Sequence, residues 1–323
     1  TRFPSGIYPP YLDNDATDSA NADISRFALD RLGTLYLFME SDEGAGNYSI
    51  WASAWTGSTT TWAAGTSVAI ANGAIQLCDG VQSRGDSHVV VWRDATDDII
   101  HHRWDGSAWT VAVVVGTGAR SGTGAGSGLS GEAAIIAFED DLYVPYMLAA
   151  TTIRVRKSTD NGATWATVGS DLDGPRVMGR EVWVDLNGDP APVFHSLTAV
   201  YAVDTSASEI QQLFQKRPAG TTGFHGRGMA VANGRLYVPS ADQGMNELTL
   251  LPGGSIESRY IPLPTTIAAR RGWIQDMKVL KNWILCIVDN GTNTGFQPQV
   301  LAFDYMEWDR IRNQEGAQAP WHS

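Results

Sequence analysis

Eight charged or titratable side chains stand at the heads of short β-rich runs: Arg26, Asp86 with His88, Glu132, Arg180, His225 with Arg227, and Arg271. A guanidinium group grips carboxylate oxygens in pairs through its planar fork of N–H donors. If the chain brings these heads round one depression, four arginines make a pocket for an acidic sugar or another carboxylate-bearing ligand. A second reading uses the same groups structurally: the arginines pair with Asp86 and Glu132 and tie neighbouring elements together.

Other residues offer thinner chemistry. His101 and His102 are adjacent, but consecutive strand residues point to opposite faces, so one buried and one exposed ring is expected in place of a metal pair. Asp94, Asp97 and Asp98 share one turn and could hold Ca2+ through carboxylate oxygens; the competing reading is a solvated turn. No other cofactor is implied. The tryptophans are best read as packing between sheets, with Trp55, Trp62 and Trp109, beside small polar turns, as candidates for stacking on a sugar. Asn47-Tyr-Ser and Asn290-Gly-Thr fit the glycosylation pattern. Cys78 and Cys286 lie far apart, and Cys286, inside Trp-Ile-Leu-Cys-Ile-Val, reads as a buried inert thiol.

The elements that must position the heads form a repeat. Each head opens a strand, a polar turn, a second strand and further short runs, and most of the six heads follow one another at roughly 45 residues. Asp105-Gly106 between two β-rich runs is a strong hairpin signal, and Leu142-Tyr143-Val144 returns as Leu236-Tyr237-Val238. Four short strands at this period predict an all-β chain, a six-bladed β-propeller of four-stranded antiparallel blades. A seventh blade hidden in 63–84 is less favoured, and a β-sandwich is the alternative fold. The expected layout is an arm over 1–22 that closes the ring, a propeller over 23–313, and a tail or the start of a further segment over 314–323.

Composition narrows the function. The formal net charge is −12, whereas nonspecific nucleic-acid binding draws on Lys and Arg to displace counterions. The longest apolar runs fall far short of the roughly 20 residues that span a bilayer. The chain begins at Thr1, which suggests processing or a start inside a longer polypeptide.

Residues 158–165 read Ser-x-Asp-x-Gly-x-x-Trp, with Ser158, Asp160, Gly162 and Trp165 at the signature places. Asp160 and Asn161 suit a turn, and Gly162 supplies a left-handed residue. The pattern resembles the Asp box of sialidase-type (BNR-repeat) propellers, where it locks the corner between two outer strands, and Trp104-Asp-Gly-Ser-Ala-Trp109 is similar to degenerate turns of such repeats. The segments 225–239, 288–291 and 300–304 resemble propeller segments in structural proteins of tailed bacteriophages. These resemblances imply a non-enzymatic protein of a virion or cell surface that recognises a glycan or a neighbouring protein and assembles into a larger particle. The sialidase resemblance also implies an alternative, an exo-glycosidase with an arginine triad, a tyrosine nucleophile assisted by glutamate, and an aspartate acid. Against it, the Arg-Ile-Pro motif is absent, Arg26 being followed by Phe27 and Ala28, and no Tyr/Glu pair can be assigned.

Overall fold

The computed structural model describes residues 25–29, 35–44, 47–54, 66–70, 75–93, 96–117, 133–149, 151–174, 176–216, 228–240, 243–264, 273–289, 299–314 and 316–322. Two compact units result, Thr1–Arg176 and Val177–Ser323. In the first, β1 (Ser25–Leu29), β2 (Leu35–Gly44), β3 (Asn47–Ala54) and β4 (Thr66–Ile70) form sheet 1. Sheet 2 holds β5 (Ile75–Ser83), β6 (Asp86–Arg93), β7 (Asp98–Trp104) and β8 (Val113–Gly116). Sheet 3 holds β9 (Ile136–Phe138), β10 (Asp141–Ala149), β11 (Thr152–Ser158) and β12 (Ala166–Asp173).

The second unit repeats the plan. Sheet 4 comprises β13 (Val177–Val184), β14 (Pro190–Ser196), β15 (Ala199–Asp204) and β16 (Glu209–Gln215). Sheet 5 comprises β17 (Ala230–Ala232), β18 (Arg235–Ser240), β19 (Gly244–Leu251) and β20 (Ser255–Pro262). Sheet 6 comprises β21 (Trp273–Leu280), β22 (Trp283–Asp289), β23 (Gln299–Asp304) and, after helix α1 (Tyr305–Ile311), β24 (Trp321–His322). Every neighbouring pair is antiparallel and the strands run in chain order across each sheet.

Alternation explains why the sheets stack. Along β6, every other residue faces sheet 3 and the rest face sheet 1, and both faces are buried. Phe38, Ile50, Leu77, Val89, Val91 and Ile100 make one core between sheets 1 and 2. Val90, Trp92 and Ile99 join Leu142, Val144 and Tyr146 in another between sheets 2 and 3. In the second unit, cores lie between sheets 4 and 5 and between sheets 5 and 6. Each fully buried aliphatic or Phe side chain contributes roughly 1.5–3 kcal/mol. First strands adjoin first strands: β1 meets β5 and β5 meets β9, as β13 meets β17 and β17 meets β21. Four-stranded sheets stacked this way are arranged as propeller blades are.

Three local readings change. Residues 63–84 supply no extra sheet among the described residues but the last strand of sheet 1 and the first of sheet 2. A β-bulge between Leu77 and Asp79 breaks the alternation that would have announced β5. Residues 308–311, whose sequence from Trp308 to Ile311 reads as one more short strand of the last unit, are helical, because Asp304 caps α1 by accepting from the amides of Met306 and Glu307. The 314–323 stretch returns as β24, where Trp321 lies 5.1 Å from Phe303.

A longer rhythm overlies the single sheet. The first strands of sheets 2, 4 and 6 are long and carry a bulge, between Leu77 and Asp79, Val177 and Gly179, and Ile274 and Asp276. In the same three sheets the third strand ends in an aspartate, Asp105 just past β7, Asp204 or Asp304, whose Oδ1 accepts the amides two and three residues on. Sheets 1, 3 and 5 instead carry Leu-Tyr at the start of the second strand or one residue into it, as Leu35-Tyr36, Leu142-Tyr143 and Leu236-Tyr237. The chain therefore repeats in pairs of sheets, about 100 residues at a time.

Candidate functional site

The eight heads do not share one strand position. Arg26 is the second residue of β1 and Arg180 lies mid-strand in β13, opposite Phe194. Asp86 and His88 belong to β6, the second strand of its sheet, because β5 precedes them. Glu132, His225, Arg227 and Arg271 lie outside the described residues, as do Asp94, Trp55 and Trp62. What the fold does bring together is a set of polar groups between adjacent sheets, and two such nodes stand out.

The first lies between sheets 2 and 3 and is built around the 158–165 turn, which joins β11 to β12, the third and fourth strands of sheet 3. Ser158 Oγ donates to Asp160 Oδ1 at 2.7 Å and accepts from the Gly162 amide at 2.8 Å. Thr164 donates to Asp160 through its amide at 2.8 Å and its hydroxyl at 2.6 Å. These bonds, the Thr164 hydroxyl first, hold the Asp160 carboxyl at about 2. Asn161 and Gly162 have φ of 60° and 88°, the left-handed region that glycine enters freely.

Against this turn sits a histidine pair. His88 Nδ1 and His101 Nε2 are 3.0 Å apart, and the rings stack at 5.2 Å and 18°. Their relative exposures are 0% and 1%. Trp165 meets His101 edge-on at 5.4 Å. Asn161 Nδ2 donates to Asp86 Oδ2 at 2.7 Å, and Arg103 faces the same oxygen at 3.4 Å. Burial holds the His88 pKa down at about 4, against the opposing pull of Asp86. Burial also holds His101 well below its ordinary value, and the neighbouring His88 adds to this.

His102 corrects the expectation of one exposed ring, since it too is buried. It stands opposite Val89, on the face turned to sheet 1, whereas His101 stands opposite Val90, on the face turned to sheet 3. A sheet covered on both sides has no exposed face to offer. For the same reason Trp109 packs partly buried on the core between sheets 1 and 2.

The second node lies between sheets 5 and 6. Glu247, 1% exposed, accepts from Trp308 Nε1 at 2.6 Å and Tyr237 OH at 3.3 Å. Arg312 bonds its other oxygen, and Arg235 Nε lies 3.8 Å from it. Arg235 also reaches Asp309 at 2.7 Å, and Asn233 donates to Asp309 at 2.7 Å. Burial, with the Glu247 charge behind it, pushes the Tyr237 hydroxyl pKa up. A Tyr/Glu pair thus exists, although it is sealed in the core.

A third group comes from sheet 4. Lys216, 3% exposed, places Nζ 3.1 Å from His195 Nδ1 and 3.3 Å from the Ser196 carbonyl. Burial brings its pKa down to about 7. Asp98, from the suspected calcium turn, bonds Arg93 at 2.7 Å instead, and no group of three metal-ligating side chains occurs among the described residues. Cys78 and Cys286 are buried and form no disulfide with each other, and burial raises the Cys286 thiol pKa.

Sequence reading singled out Asp86 and His88, as ligand-facing heads, and the turn; it passed over Arg103, Glu247, Trp308, Arg312 and Lys216, and the bond from Asn161 to Asp86. Trp308 and Arg312 had a usable signal in Asp304-Tyr-Met-Glu307, an aspartate cap with glutamate three residues on. Glu247 and Lys216 had none, because nothing local reveals which cross-strand or neighbouring sheet partner a single charge will meet.

No family model matches the chain. No curated protein matches it either. Among solved structures, it is similar to a protein of unknown function from Dyadobacter fermentans, with TM-score 0.49, 12% identity and 94% of each chain covered. It is also similar to the Aleuria aurantia lectin in complex with Fucα1-6GlcNAc, with TM-score 0.46, 14% identity and 93% of this chain and 94% of the lectin covered. A third is the Trypanosoma rangeli sialidase in complex with sialic acid, with TM-score 0.44, 11% identity and 75% of this chain covered. The chain spans 45% of that sialidase. All three are distant, and the fold assignment rests on the sheet topology of the chain itself. No helix among the described residues is long and apolar enough to cross a membrane.

Proposed function

We propose that the chain is a six-bladed β-propeller that binds without catalysis, recognising a glycan or a neighbouring protein at the surface of a virion or a cell. The observation that carries this reading is the pairing of charged side chains with one another inside the fold. Asp86 with Arg103, Glu247 with Arg235 and Arg312, and Arg235 with Asp309 spend their charges on internal partners, and Asn161 joins Asp86 to the next sheet. A glycosidase needs such groups facing substrate, with carboxyl groups poised at the scissile bond. A propeller used as a scaffold needs them between blades, and presents its loops for recognition.

The arginine heads, Arg26, Arg180, Arg227 and Arg271, with Glu132 and His225, are proposed as the ligand-facing set for an acidic sugar; Asp86 and His88 are taken up between sheets 2 and 3 and leave that set. A glycan array tests the reading with the intact chain: binding to acidic glycans, lost in Arg180→Ala, is expected. The competing reading is a sialidase-like glycosidase acting on acidic sugars, and the Tyr237–Glu247 pair, sealed in the core, does not serve it. Turnover of a fluorogenic sialoside by the wild-type chain, abolished in Arg180→Ala or Arg271→Ala, would replace the binding reading with the enzymatic one.

A further inference from the structure

The His88–His101 pair is closed off from solvent on both rings. A neutral pair carries two ring protons, and one of them is shared in the 3.0 Å bond. The backbone of Ser83 beside His88 and of Gly162 beside His101 favours a protonated ring, but His88 Nε2 and His101 Nδ1 are buried without a hydrogen bond. A third proton would therefore bring a charge that the closed form does not solvate. A fourth would set two imidazolium rings against each other in a low dielectric. The pair is thus a one-proton device.

The surroundings decide what that proton does. From sheet 2, Arg84, Arg103 and His102 oppose a charge on the rings, and Asp86 favours it. Asp86 is already shared by Arg103 and Asn161. From sheet 3 the facing groups are Ser158, Asn161 and Trp165, with Asp160 turned to Ser158 and Thr164. No carboxylate on that side is free for an imidazolium, so water must supply the missing solvation. The turn blocks water: a Cβ built on Gly162 would lie 2.0 Å from His101 Cε1. The ring is reached by solvent only when the turn lifts.

We propose that His88 and His101 form a proton-operated latch, in which uptake of one proton by the pair in mild acid releases the 158–165 turn of sheet 3 from sheet 2. The sign is fixed by linkage. A folded-state value for His88 below the ordinary 6.5 means that the unfolded or opened form binds more protons, so stability present above pH 6.5 is lost as pH falls toward 4. The latch is closed at neutral pH and opens in acid.

Hydrogen exchange read by mass spectrometry on the full chain, at neutral pH and at about pH 4.5, tests this after correction for intrinsic rates. Expected is a loss of protection of about tenfold or more in peptides covering 158–165 and 99–103, with the β10–β11 hairpin keeping its protection. In the double variant His88→Gln/His101→Gln the difference between the two pH values should vanish, even if protection is lower at both. Equal protection of the wild type at both pH values would overturn the latch, as would a loss spread evenly through β10 and β11. So would a full acid effect surviving in the double variant, or acid tightening the turn.

Discussion

The two inter-sheet nodes solve one problem with opposite chemistry. In each, a tryptophan from the outer corner of one sheet reaches back to a polar side chain on the third strand of the sheet before it: Trp165 to His101 on β7, and Trp308 to Glu247 on β19. A second-strand residue completes each contact, His88 in one and Tyr237 in the other. Between sheets 2 and 3 the buried rings are held uncharged by burial, and only one hydrogen bond links them. Between sheets 5 and 6 the buried group is a carboxylate among two arginines, a phenol and an indole. The neutral node costs little to bury but leaves polar atoms short of partners. The charged node has a large desolvation cost, which is offset only while every partner is present.

That difference orders the expected effects. Removing the centre of the charged node takes Arg312 off its buried carboxylate and leaves the Trp308 indole and the Tyr237 hydroxyl without that acceptor, so Glu247→Ala should cost about 3–5 kcal/mol in urea denaturation, and α1 should lose its protection from exchange. A loss below 1 kcal/mol would mean the network behaves like a surface pair. In the neutral node the sensitive point is space and backbone, not charge. Gly162→Ala puts a methyl into the His101 ring at a φ of 88° and should cost about 2–3 kcal/mol; a neutral result would show the turn resting loosely on sheet 2.

The tryptophans give the sharpest contrast, since one substitution is made in both places. Trp308 Nε1 donates to a buried carboxylate, so Trp308→Phe should cost about 2 kcal/mol. Trp165 Nε1 is buried without a hydrogen bond, so Trp165→Phe keeps most of the packing and should cost less than about 1 kcal/mol. Equal losses would erase the distinction between the nodes. Outside both, Lys216→Met should flatten the rise in stability with pH between about 7 and the ordinary lysine value of 10.5, since the native state sheds that proton first.

Much of the fold was legible because turns carry their own chemistry. Asp105-Gly106, Asn233-Gly234 and the 158–165 pattern name corners whose backbone needs positive φ, and the structure puts positive φ at Gly106, Asn233, Gly234, Asn161 and Gly162. Less legible was the phase of sheet 2: the Leu77/Asp79 bulge hides β5, so Asp86 and His88 read as first-strand heads when they belong to the second strand. Helix α1 was missed because Trp308 to Ile311 is apolar enough for a strand, and the Asp304 cap outweighs that pattern. The nodes themselves were nearly silent. His101 and Glu247 look like ordinary strand residues until their partners arrive from another sheet.

The alternation of sheets has a consequence for how such a chain can change its length. Bulged first strands and aspartate-capped corners mark sheets 2, 4 and 6, and the Leu-Tyr second strands mark sheets 1, 3 and 5. Each kind has neighbours only of the other kind along the sequence. Duplication or loss of one sheet would set two of a kind side by side, with faces shaped for a different neighbour. The unit of inheritance is then the pair: a sheet can be moved two places along the chain, but not one.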